Sequence, residues 1–355
     1  MPHTQDEISR RLAPPLLCWY RQNRRLLPFR VNPTPYGVWV SEIMLQQTRV
    51  AAALEHYRRF MAELPTIAAL AECDEQHLLK LWEGLGYYSR ARNLQKAAQV
   101  VMQQHGGQLP ANYKALRALP GIGDYTAGAI GSICFGLAVP AVDGNVLRVF
   151  SRLYNDDSDI TRPAAKRTCT ERVLACMPPN EPGDFNQALM ELGALVCLPG
   201  AAVRCAQCPV AEFCQAKASG RAEQLPVKTA SKTRRVQQVT VLLIKNSAGE
   251  YLLQQRQPKG LLAGLWQPFL CEQAIDSQDA AALLRSKGLQ VRFIGPGPIA
   301  KHIFSHIEWQ LQSLCFQAEG KAPAGCVWAN RAALDNTYPL PGAFCAYRTY
   351  MMTQS

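Results

Sequence analysis

Four cysteines stand close together in the stretch "CLPGAAVRCAQCPVAEFC", where their spacing is C-x7-C-x2-C-x5-C. They are Cys197, Cys205, Cys208 and Cys214. Zinc sites usually combine two separated C-x2-C pairs, and this stretch has one such pair, whereas a [4Fe–4S] cluster takes four cysteines in a compact run. The spacing therefore indicates a metal site and favours iron–sulfur over zinc. A chance grouping of four free cysteines is the weakest explanation.

Two acidic residues lie in apolar stretches. Glu42, in "PYGVWVSEIMLQQTRV", is expected at the start of a helix, where an acid is usually solvated. An apolar pocket would instead raise its pKa and keep it a proton donor. Asp143, in "PAVDGNVLRV", stands where a helix N-cap is wanted, and capping would lower its pKa. One protonated acid and one carboxylate can cleave a glycosidic bond through an oxocarbenium-like state, but the sequence does not show that these two face each other.

The stretch "LPGIGDYTAGAI" places Gly121 and Gly123 between two helical patterns, with Tyr125 in the first turn of the second. Both glycines can adopt positive φ, and backbone N–H groups at the start of a helix can bind a phosphate. A dinucleotide-binding loop would need a preceding strand and a third glycine in place. The pattern favours a helix-hairpin-helix that grips a DNA backbone without reading sequence, and an ordinary helix–helix turn stays open.

The composition sets the broad class. The chain has 355 residues, 48% of them apolar, which predicts two or three domains with real cores. Lys and Arg number 38 against 27 acids, a net charge of +11 that suits a polyanionic partner or simply a basic enzyme. The start is polar, and no apolar run approaches the roughly 18 residues of a membrane helix. We therefore expect a cytoplasmic protein without membrane contact, and thiols that hold metal or stay buried.

The hydrophobic period changes along the chain. Up to about residue 216, apolar residues recur at helical spacing. The stretch "KASGRAEQLPVKTASKTRRVQQ" is polar and basic, which predicts a linker. Beyond it, "VTVLLIKNSAGEYLLQQR" predicts two strands with a Gly-containing turn, and "FSHIEWQLQSLCF" predicts another strand. "DAAALLRSKG" predicts a short helix, so the C-terminal part is expected to be a separate α/β domain.

Together these motifs resemble those of MutY-type adenine DNA glycosylases, members of the helix-hairpin-helix superfamily that includes endonuclease III. The resemblance covers nearly the whole chain and rests on "PYGVWVSEIMLQQTRV", "WEGLGYYSRARNL", "LPGIGDYTAGAI", "PAVDGNVLRV", "FNQALMELGALVC", the cysteine run, "LPVK" and "FSH". It implies a base excision repair enzyme that removes adenine mispaired with 8-oxoguanine, or with guanine, from double-stranded DNA. It also implies a [4Fe–4S] cluster held by the four cysteines, and we expect a monomer.

The resemblance gives the catalytic residues their roles. Glu42 corresponds to the acid that protonates adenine N7, and Asp143 to the carboxylate that stabilises the sugar cation. Tyr125 occupies the position where endonuclease III-like enzymes carry a Schiff-base lysine, which implies a monofunctional glycosylase without strong strand-cleaving activity. In relatives, this tyrosine and Asn145 also support the active site.

The same resemblance implies a set of DNA contacts. Gln47 and Tyr87 correspond to residues that wedge into the base stack while adenine is flipped out. The other residues expected to contact DNA are Thr48, Leu85, Gly86, Gly121, Gly123, Phe304, Ser305 and His306.

The C-terminal domain resembles the Nudix-like domain of this family, and "GLLAGLWQPF" fits its loop. The acidic metal-binding Nudix box is missing from the corresponding stretch "DAAALLRSKGL", which implies a reader domain rather than a pyrophosphohydrolase. Phe304, Ser305 and His306 match the loop that recognises 8-oxoguanine. Without the resemblance, these three residues would be taken for an ordinary strand end.

Two features depart from the family pattern. The first cysteine spacing is C-x7-C where the family usually has C-x6-C, which leaves the DNA-facing shape of that loop open. Phe29, in "LPFR", stands where a tryptophan is common, so the ring is kept and the indole N–H is lost.

The expected fold is therefore multidomain: an all-α helix-hairpin-helix glycosylase with an iron–sulfur cluster subdomain, followed by an α/β Nudix-like domain. We expect the glycosylase at 1–225, with a six-helix core at about 31–135 and a cluster-bearing subdomain formed by the N-terminal segment and 136–225. A linker at 226–237 leads to the Nudix-like domain at 238–355.

Two other functions stay open. The first is an endonuclease III-like glycosylase/lyase for oxidised pyrimidines, which the tyrosine in the lysine position and the added C-terminal domain disfavour. The second is a non-catalytic DNA-binding module, which the presence of Glu42 and Asp143 in matching contexts disfavours.

Overall fold

The structure is a computed structural model that describes residues 5–229 and 233–354. The chain forms two compact units. The described part of the first contains residues 5–72 and 93–229, and that of the second contains residues 73–92 and 233–354. The sequence did not predict that a segment within the helical region groups with the C-terminal residues.

The part of the chain before residue 230 is helical, as predicted. The helices in chain order are α1 Gln5–Arg11, α2 Ala13–Asn23, α3 Pro28–Val31, α4 Pro35–Leu45, α5 Val50–Glu63, α6 Ile67–Glu72, α7 Glu75–Leu81, α8 Ser89–Gln104, α9 Tyr113–Ala118, α10 Asp124–Phe135, α11 Gly144–Leu153, α12 Pro163–Cys176, α13 Pro182–Leu195 and α14 Gln215–Ala218. Short 3₁₀ turns lie between α13 and α14 at Gly200–Ala202, Cys205–Gln207 and Ala211–Phe213. Helix α7 and the beginning of α8 belong to the second unit.

Helix α13 lies at the centre of the first unit, where it packs against α2, α10 and α11. Most of its residues are buried, because apolar side chains surround the whole helix rather than one stripe. Gly193 permits a close approach to α11: a Cβ there would stand 2.5 Å from the Cβ of Asn145. The contact fixes the position of a predicted active-site residue.

The segment after α14 remains attached to the first unit. Arg152 Nε donates a hydrogen bond of 3.0 Å to the carbonyl of Leu225, and the amide of Ile160 donates one of 3.1 Å to the carbonyl of Val227. The first sheet strand already begins at Arg235, within the predicted linker 226–237. Linker residues 230–232 lie outside the described residues, and the predicted domain limits stay a prediction.

The second unit contains a seven-stranded mixed sheet. Its strands are β1 Arg235–Lys245, β2 Tyr251–Gln255, β3 Trp266–Cys271, β4 Gln290–Pro296, β5 Ala300–Ile303, β6 Ile307–Glu319 and β7 Cys326–Ala329. The order is β4-β6-β1-β3-β2-β7, with β5 also paired to β6. Strands β1 and β6 are parallel, and the other pairs are antiparallel. The helices of this region are α15 Ser277–Ser286, α16 Arg331–Asn336 and α17 Cys345–Thr353, with a 3₁₀ turn at Gly342–Phe344.

Both faces of this sheet are covered, as the run of apolar residues in β1 requires. Val239, Val241 and Leu243 face a core that also contains residues of α16 and α17, while Leu242 and Ile244 face a second core with residues of α15. This alternation is the two-residue period of a strand. The predicted strands and short helix are confirmed, and the fold is an all-α part followed by an α/β domain.

No single helix in the described ranges is long and apolar enough to cross a membrane. Pro182–Leu195 and Gly200–Gln207 pass that test only together, as a pair bent by 112°.

Candidate active site

Glu42 lies on α4. The sequence had predicted a position at the start of the helix, and that prediction is wrong. It is the eighth of the 11 residues of the helix and is 7% exposed. The Tyr125 hydroxyl donates a hydrogen bond of 2.6 Å to Glu42 Oε2. Burial raises the pKa of Glu42, while the Tyr125 hydrogen bond and the charge of Arg30 oppose that shift in part. The raised pKa agrees with the predicted proton donor.

Asp143 is the N-cap of α11, as predicted. Its Oδ1 accepts a hydrogen bond of 2.8 Å from the amide of Val146, and its Oδ2 accepts one of 2.8 Å from Asn145 Nδ2. The predicted lowering of the Asp143 pKa is wrong. Burial raises the pKa and is the largest influence, and the capping hydrogen bonds offset only part of it. The sequence identified the cap but not the burial.

Tyr125 lies in the first turn of α10, also as predicted. Burial and the neighbouring acids Glu42 and Asp143 raise the pKa of its phenol well above the ordinary value. The phenol therefore stays protonated, and its O–H serves as a donor to Glu42. Its oxygen also lies 3.6 Å from Met190 Sδ.

One cavity of about 160 Å³ brings the predicted catalytic residues together. Its volume is close to that of an engineered cavity of about 150 Å³ that holds a single benzene ring. Glu42, Asp143, Tyr125 and Asn145 all line it, as does Thr48. The two carboxyl groups therefore face the same small space, which the sequence could not show.

The same cavity contains a charged group that the sequence analysis missed. Glu191 is fully buried on α13 and accepts hydrogen bonds from Arg25 Nε at 2.6 Å, Arg25 Nη2 at 2.8 Å and Arg30 Nη1 at 2.8 Å. Burial raises the pKa of Glu191, but the two arginines outweigh it and the net shift is downward. Glu191 lies within "FNQALMELGALVC", where a single acid in an otherwise apolar helix was the available signal.

Phe29, which stands where the family commonly has tryptophan, also lines the cavity. Its ring is buried and packs edge-on against Tyr57, with 5.3 Å between the ring centroids.

A hydrogen-bonded path leads from Asp143 toward the cysteine segment. Arg148 donates to Asn145 Oδ1 at 2.9 Å, to the carbonyl of Gly193 at 2.9 Å and to the carbonyl of Cys197 at 2.8 Å. Asn145 in turn donates to Asp143. The arrangement fixes the amide of Asn145, because its oxygen faces a cation and its nitrogen faces the carboxylate.

The four predicted metal-binding cysteines line one small apolar cavity. Arg152 is 1% exposed, lines this cavity and donates a hydrogen bond of 3.2 Å to Cys197 Sγ. Its Nη2 is buried without a hydrogen-bond partner, which leaves a donor for an anionic sulfur. Among the described residues no group of three His, Cys, Asp or Glu side chains meets the geometry of a metal site. Four cysteine sulfurs beside the Arg152 cation nevertheless provide the ligand type that an iron–sulfur cluster requires.

The glycine turn joins α9 to α10, so the predicted helix–turn–helix is present. Gly121 has φ +75°, and a Cβ there would stand 2.7 Å from Asn93 Cβ. Gly123 has φ −88°, so it does not use the positive φ that the sequence allows at both glycines. As the N-cap of α10, Gly123 has open space where a Cβ would be. A phosphate could approach the backbone closely at this point.

The predicted wedge residues lie in exposed left-handed turns, in different units. Gln47 follows α4 with φ +58° and an exposed side chain. Tyr87 has φ +47° and is 50% exposed, and Gly86 beside it has φ +67°. Leu85 is 6% exposed, so its side chain faces the protein.

Phe304, Ser305 and His306 form the turn between β5 and β6. The amide of Phe304 donates a hydrogen bond of 2.8 Å to the carbonyl of Ile307, and its ring packs edge-on against Trp309. Ser305 and His306 are exposed. The Ser305 hydroxyl lies 3.2 Å from the Tyr87 hydroxyl.

Comparison with known proteins identifies both parts of the chain. Residues 40–174 match the HhH-GPD superfamily of base excision DNA repair proteins, and residues 240–347 match the NUDIX domain family. The chain is 35% identical to the adenine DNA glycosylase of Homo sapiens, over 88% of this chain and 68% of the human one. It is 31% identical to the adenine DNA glycosylase of Buchnera aphidicola (strain APS), over 82% of each chain.

Solved structures agree on the fold of the helical part. A thermostable thymine-DNA glycosylase is similar with a TM-score of 0.53 and 26% identity, over 61% of this chain and 97% of that one. An endonuclease III in a non-covalent DNA complex has a TM-score of 0.52 and 22% identity, over 62% of this chain and 98% of that one.

Proposed function

Because this chain belongs to the adenine DNA glycosylase family, and is thus a DNA glycosylase of base excision repair, we propose that its target is adenine opposite 8-oxoguanine in duplex DNA. Adenine opposite guanine would be a weaker substrate. The observation that supports the chemistry is the common cavity of Glu42, Asp143 and Tyr125. The support for the choice of lesion comes from the exposed turn at Phe304–His306.

Glu42 acts as the general acid. Because its pKa is raised by burial, the protonated form is available closer to neutrality than for an exposed glutamate. The proton passes to N7 of the flipped adenine, and the C1′–N9 bond breaks with its electron pair going to the base. Tyr125 orients the carboxyl group through its hydrogen bond to Oε2, which leaves the other oxygen for the base.

Asp143 stabilises the positive charge that develops on the sugar. It is held in place by the amide of Val146 and by Asn145, whose hydrogen bonds favour the carboxylate form. Water then adds at C1′, and the proton that it loses passes to the ionised Glu42, which regenerates the acid. Tyr125 offers no amine for a Schiff base, so we propose hydrolysis without strand cleavage by β-elimination.

A charged group lies beside these residues. The carboxylate of Glu191 accepts four hydrogen bonds, from the Arg25 backbone amide, Arg25 Nε, Arg25 Nη2 and Arg30 Nη1. These bonds use the about four acceptor positions of a carboxylate. We propose that Glu191, kept ionised by the two arginines, holds Arg25 and Arg30 in place in the wall of the adenine pocket.

The cysteine cavity would hold a [4Fe–4S] cluster, with Cys197, Cys205, Cys208 and Cys214 as ligands. When bound, such a cluster would cross-link the segment of 3₁₀ turns that follows α13. Arg152 would donate to cluster or cysteine sulfur through its unpartnered Nη2. We expect anaerobically purified protein to carry about four irons per chain. One zinc per chain and no iron would contradict this assignment.

Each unit carries residues for which we propose a DNA contact. The turn at Gly121 and Gly123 would bind phosphate at the start of α10, and Gln47 and Tyr87 would wedge into the stack as adenine leaves it. We expect the protein to act at the chromosome as a monomer.

Ser305 is suited to read 8-oxoguanine. The lesion differs from guanine by an N7–H donor and an O8 acceptor, and the Ser305 hydroxyl and amide can pair with both. The side chain is exposed in the turn between β5 and β6, where a base could reach it.

Single-turnover base release tests the proposal. Enzyme in excess is mixed with duplexes that hold 8-oxoguanine:adenine, guanine:adenine or thymine glycol:adenine, and products are divided into samples with and without alkali. We expect fastest release of adenine opposite 8-oxoguanine, and strand breaks only after alkali. Release of thymine glycol, or breaks without alkali, would instead support the glycosylase/lyase alternative.

A further inference from the structure

The loop that carries Tyr87 has an unusual backbone. We call residues 82–88 the wedge loop. Gly84 has φ +96°, Gly86 has φ +67° and Tyr87 has φ +47°. Left-handed φ is open to glycine but disfavoured for tyrosine, whose Cβ crowds the backbone. Contacts elsewhere must therefore hold Tyr87 in this conformation.

Arg90, on α8 just after the loop, supplies part of this support. Its Nη2 donates to the carbonyls of Leu85 at 2.9 Å and Gly86 at 3.1 Å, and its guanidinium lies over the rings of Trp82 and Tyr87.

The remaining support comes from C-terminal residues, with which the segment 73–92 forms one compact unit. Glu83 Oε1 accepts a hydrogen bond of 3.0 Å from the amide of Leu340. Its Oε2 pairs at 2.6 Å with Lys80, which also donates to the carbonyls of Leu334 at 3.0 Å and Tyr338 at 3.3 Å. The side chains of Lys80 and Glu83 are 12% and 14% exposed, so water weakens this pair less than it weakens a surface pair.

Arg348 on α17 completes the group. Its Nη1 lies 3.7 Å from Glu83 Oε1, and its Nη2 donates to Asp335 at 3.0 Å. Glu83 thus connects the wedge loop to α16, α17 and the chain between them.

We propose that Glu83 is a positioning residue through which the C-terminal domain holds Tyr87 ready to wedge into DNA. This rests on the proposed function of Tyr87. The C-terminal domain would then have two separable roles. Ser305, whose hydroxyl lies 3.2 Å from that of Tyr87, would matter chiefly when 8-oxoguanine is the opposite base, whereas Glu83 would support base flipping whichever base lies opposite adenine.

Flipping can be measured apart from bond cleavage. In protein that carries Glu42→Gln, which stops excision, fluorescence of 2-aminopurine at the target position reports the unstacked base. Adding Glu83→Gln should reduce the flipped fraction about tenfold, equally on duplexes with 8-oxoguanine and with guanine. Adding Glu75→Gln is the matched control: it removes one negative charge from the same segment, where Glu75 pairs with Arg92 and is 58% exposed. It should leave the flipped fraction unchanged.

Two further variants keep the outcome decisive. Arg348→Met removes the charge that faces Glu83 and changes a more exposed side chain, so it should disturb folding less. It should give a smaller loss of the flipped fraction on both duplexes, and it replaces Glu83→Gln as the test if that variant lowers the melting temperature too far. Tyr87→Ala should abolish the flipped signal. If Tyr87→Ala abolishes it and neither Glu83→Gln nor Arg348→Met reduces it, the role of Glu83 is refuted. If Tyr87→Ala leaves the signal intact, the wedge itself is refuted, and the inference with it.

Discussion

The cavity around Glu42 and the turn at Phe304–His306 hold their polar groups in opposite ways. In the cavity, Glu42 and Asp143 are removed from water and each has named hydrogen-bond partners. In the turn, Ser305 and His306 are exposed, and the backbone there is fixed mainly by hydrogen bonds and ring packing of Phe304.

The two regions are suited to different tasks, proton transfer in the cavity and recognition of a base in the turn. A buried carboxyl group has a shifted pKa and can transfer a proton in a place that excludes water. An exposed turn instead presents side chains such as Ser305 and His306 at the surface, where a base edge can reach them. Changes in the cavity should therefore have large effects on every substrate, and changes in the turn should have small effects on one.

The largest effect is expected for Glu42→Gln. A neutral amide cannot transfer a proton to N7, so single-turnover excision should fall by roughly 10²–10⁴-fold on both the 8-oxoguanine and the guanine duplex. Folding and DNA binding should survive, because glutamine keeps the shape and removes a buried ionisable group.

Glu55→Gln is the control for this substitution, because Glu55 is 78% exposed on α5. It should excise adenine at the rate of the unmodified protein. Near-normal excision by Glu42→Gln would contradict the acid role. A loss on one duplex alone would contradict the expectation that changes in the cavity affect every substrate.

The pH dependence of the excision rate also tests the difference between the cavity and the turn. Burial raises the pKa of Glu42, so the rate should fall as pH rises through that pKa and the proton is lost. Burial also raises the pKa of Asp143, so the rate should fall as pH drops through its pKa and the carboxylate is lost. The expected profile of single-turnover rates is a bell with both limbs above the ordinary carboxyl range of about 4. The ratio between the two duplexes should stay constant across it. A profile whose limbs lie at the ordinary carboxyl pKa of about 4 would contradict the burial argument.

The raised pKa of a buried carboxyl group also makes folding stability depend on pH. A carboxyl group with a raised pKa in the folded state favours folding below its unfolded pKa, and this contribution is lost as pH rises through the folded pKa. Thermal unfolding of Glu42→Gln should therefore depend less on pH above the ordinary carboxyl range than that of the unmodified protein.

The smallest effect is expected for Ser305→Ala. The backbone amide of residue 305 survives the change, and one lost hydrogen bond contributes about 0.5–1.5 kcal/mol. The preference for 8-oxoguanine over guanine should fall by roughly 2- to 13-fold, with excision opposite guanine nearly unchanged. Ser247→Ala, in an exposed turn of the same unit, should leave the preference intact. An unchanged preference in Ser305→Ala would move lesion reading away from the hydroxyl.

Most features that could be predicted from the sequence involve residues that are close together in the chain. The glycine turn before Tyr125 and the apolar run of β1 depend on local geometry, and the structure contains the turn and the strand that they predict. The N-cap at Asp143 was predictable for the same reason, because a cap involves residues two or three positions apart.

Tertiary packing decided the rest. Glu42 and Asp143 are about a hundred positions apart in the chain, and only the packing of α4, α10, α11 and α13 places them on one cavity. Burial of Asp143 reversed the pKa shift that its cap alone would give, since desolvation depends on every element around the group.

The sequence by itself determined the two-part organisation of this protein, its family and the residue types available for catalysis. Only the tertiary structure decided that Glu191 joins the catalytic cavity and that residues 73–92 group with the C-terminal unit. The physical reason is the range of the forces involved. Turns, caps and strand alternation arise between neighbours along the chain, whereas desolvation and buried charge pairs arise between residues that meet only after folding.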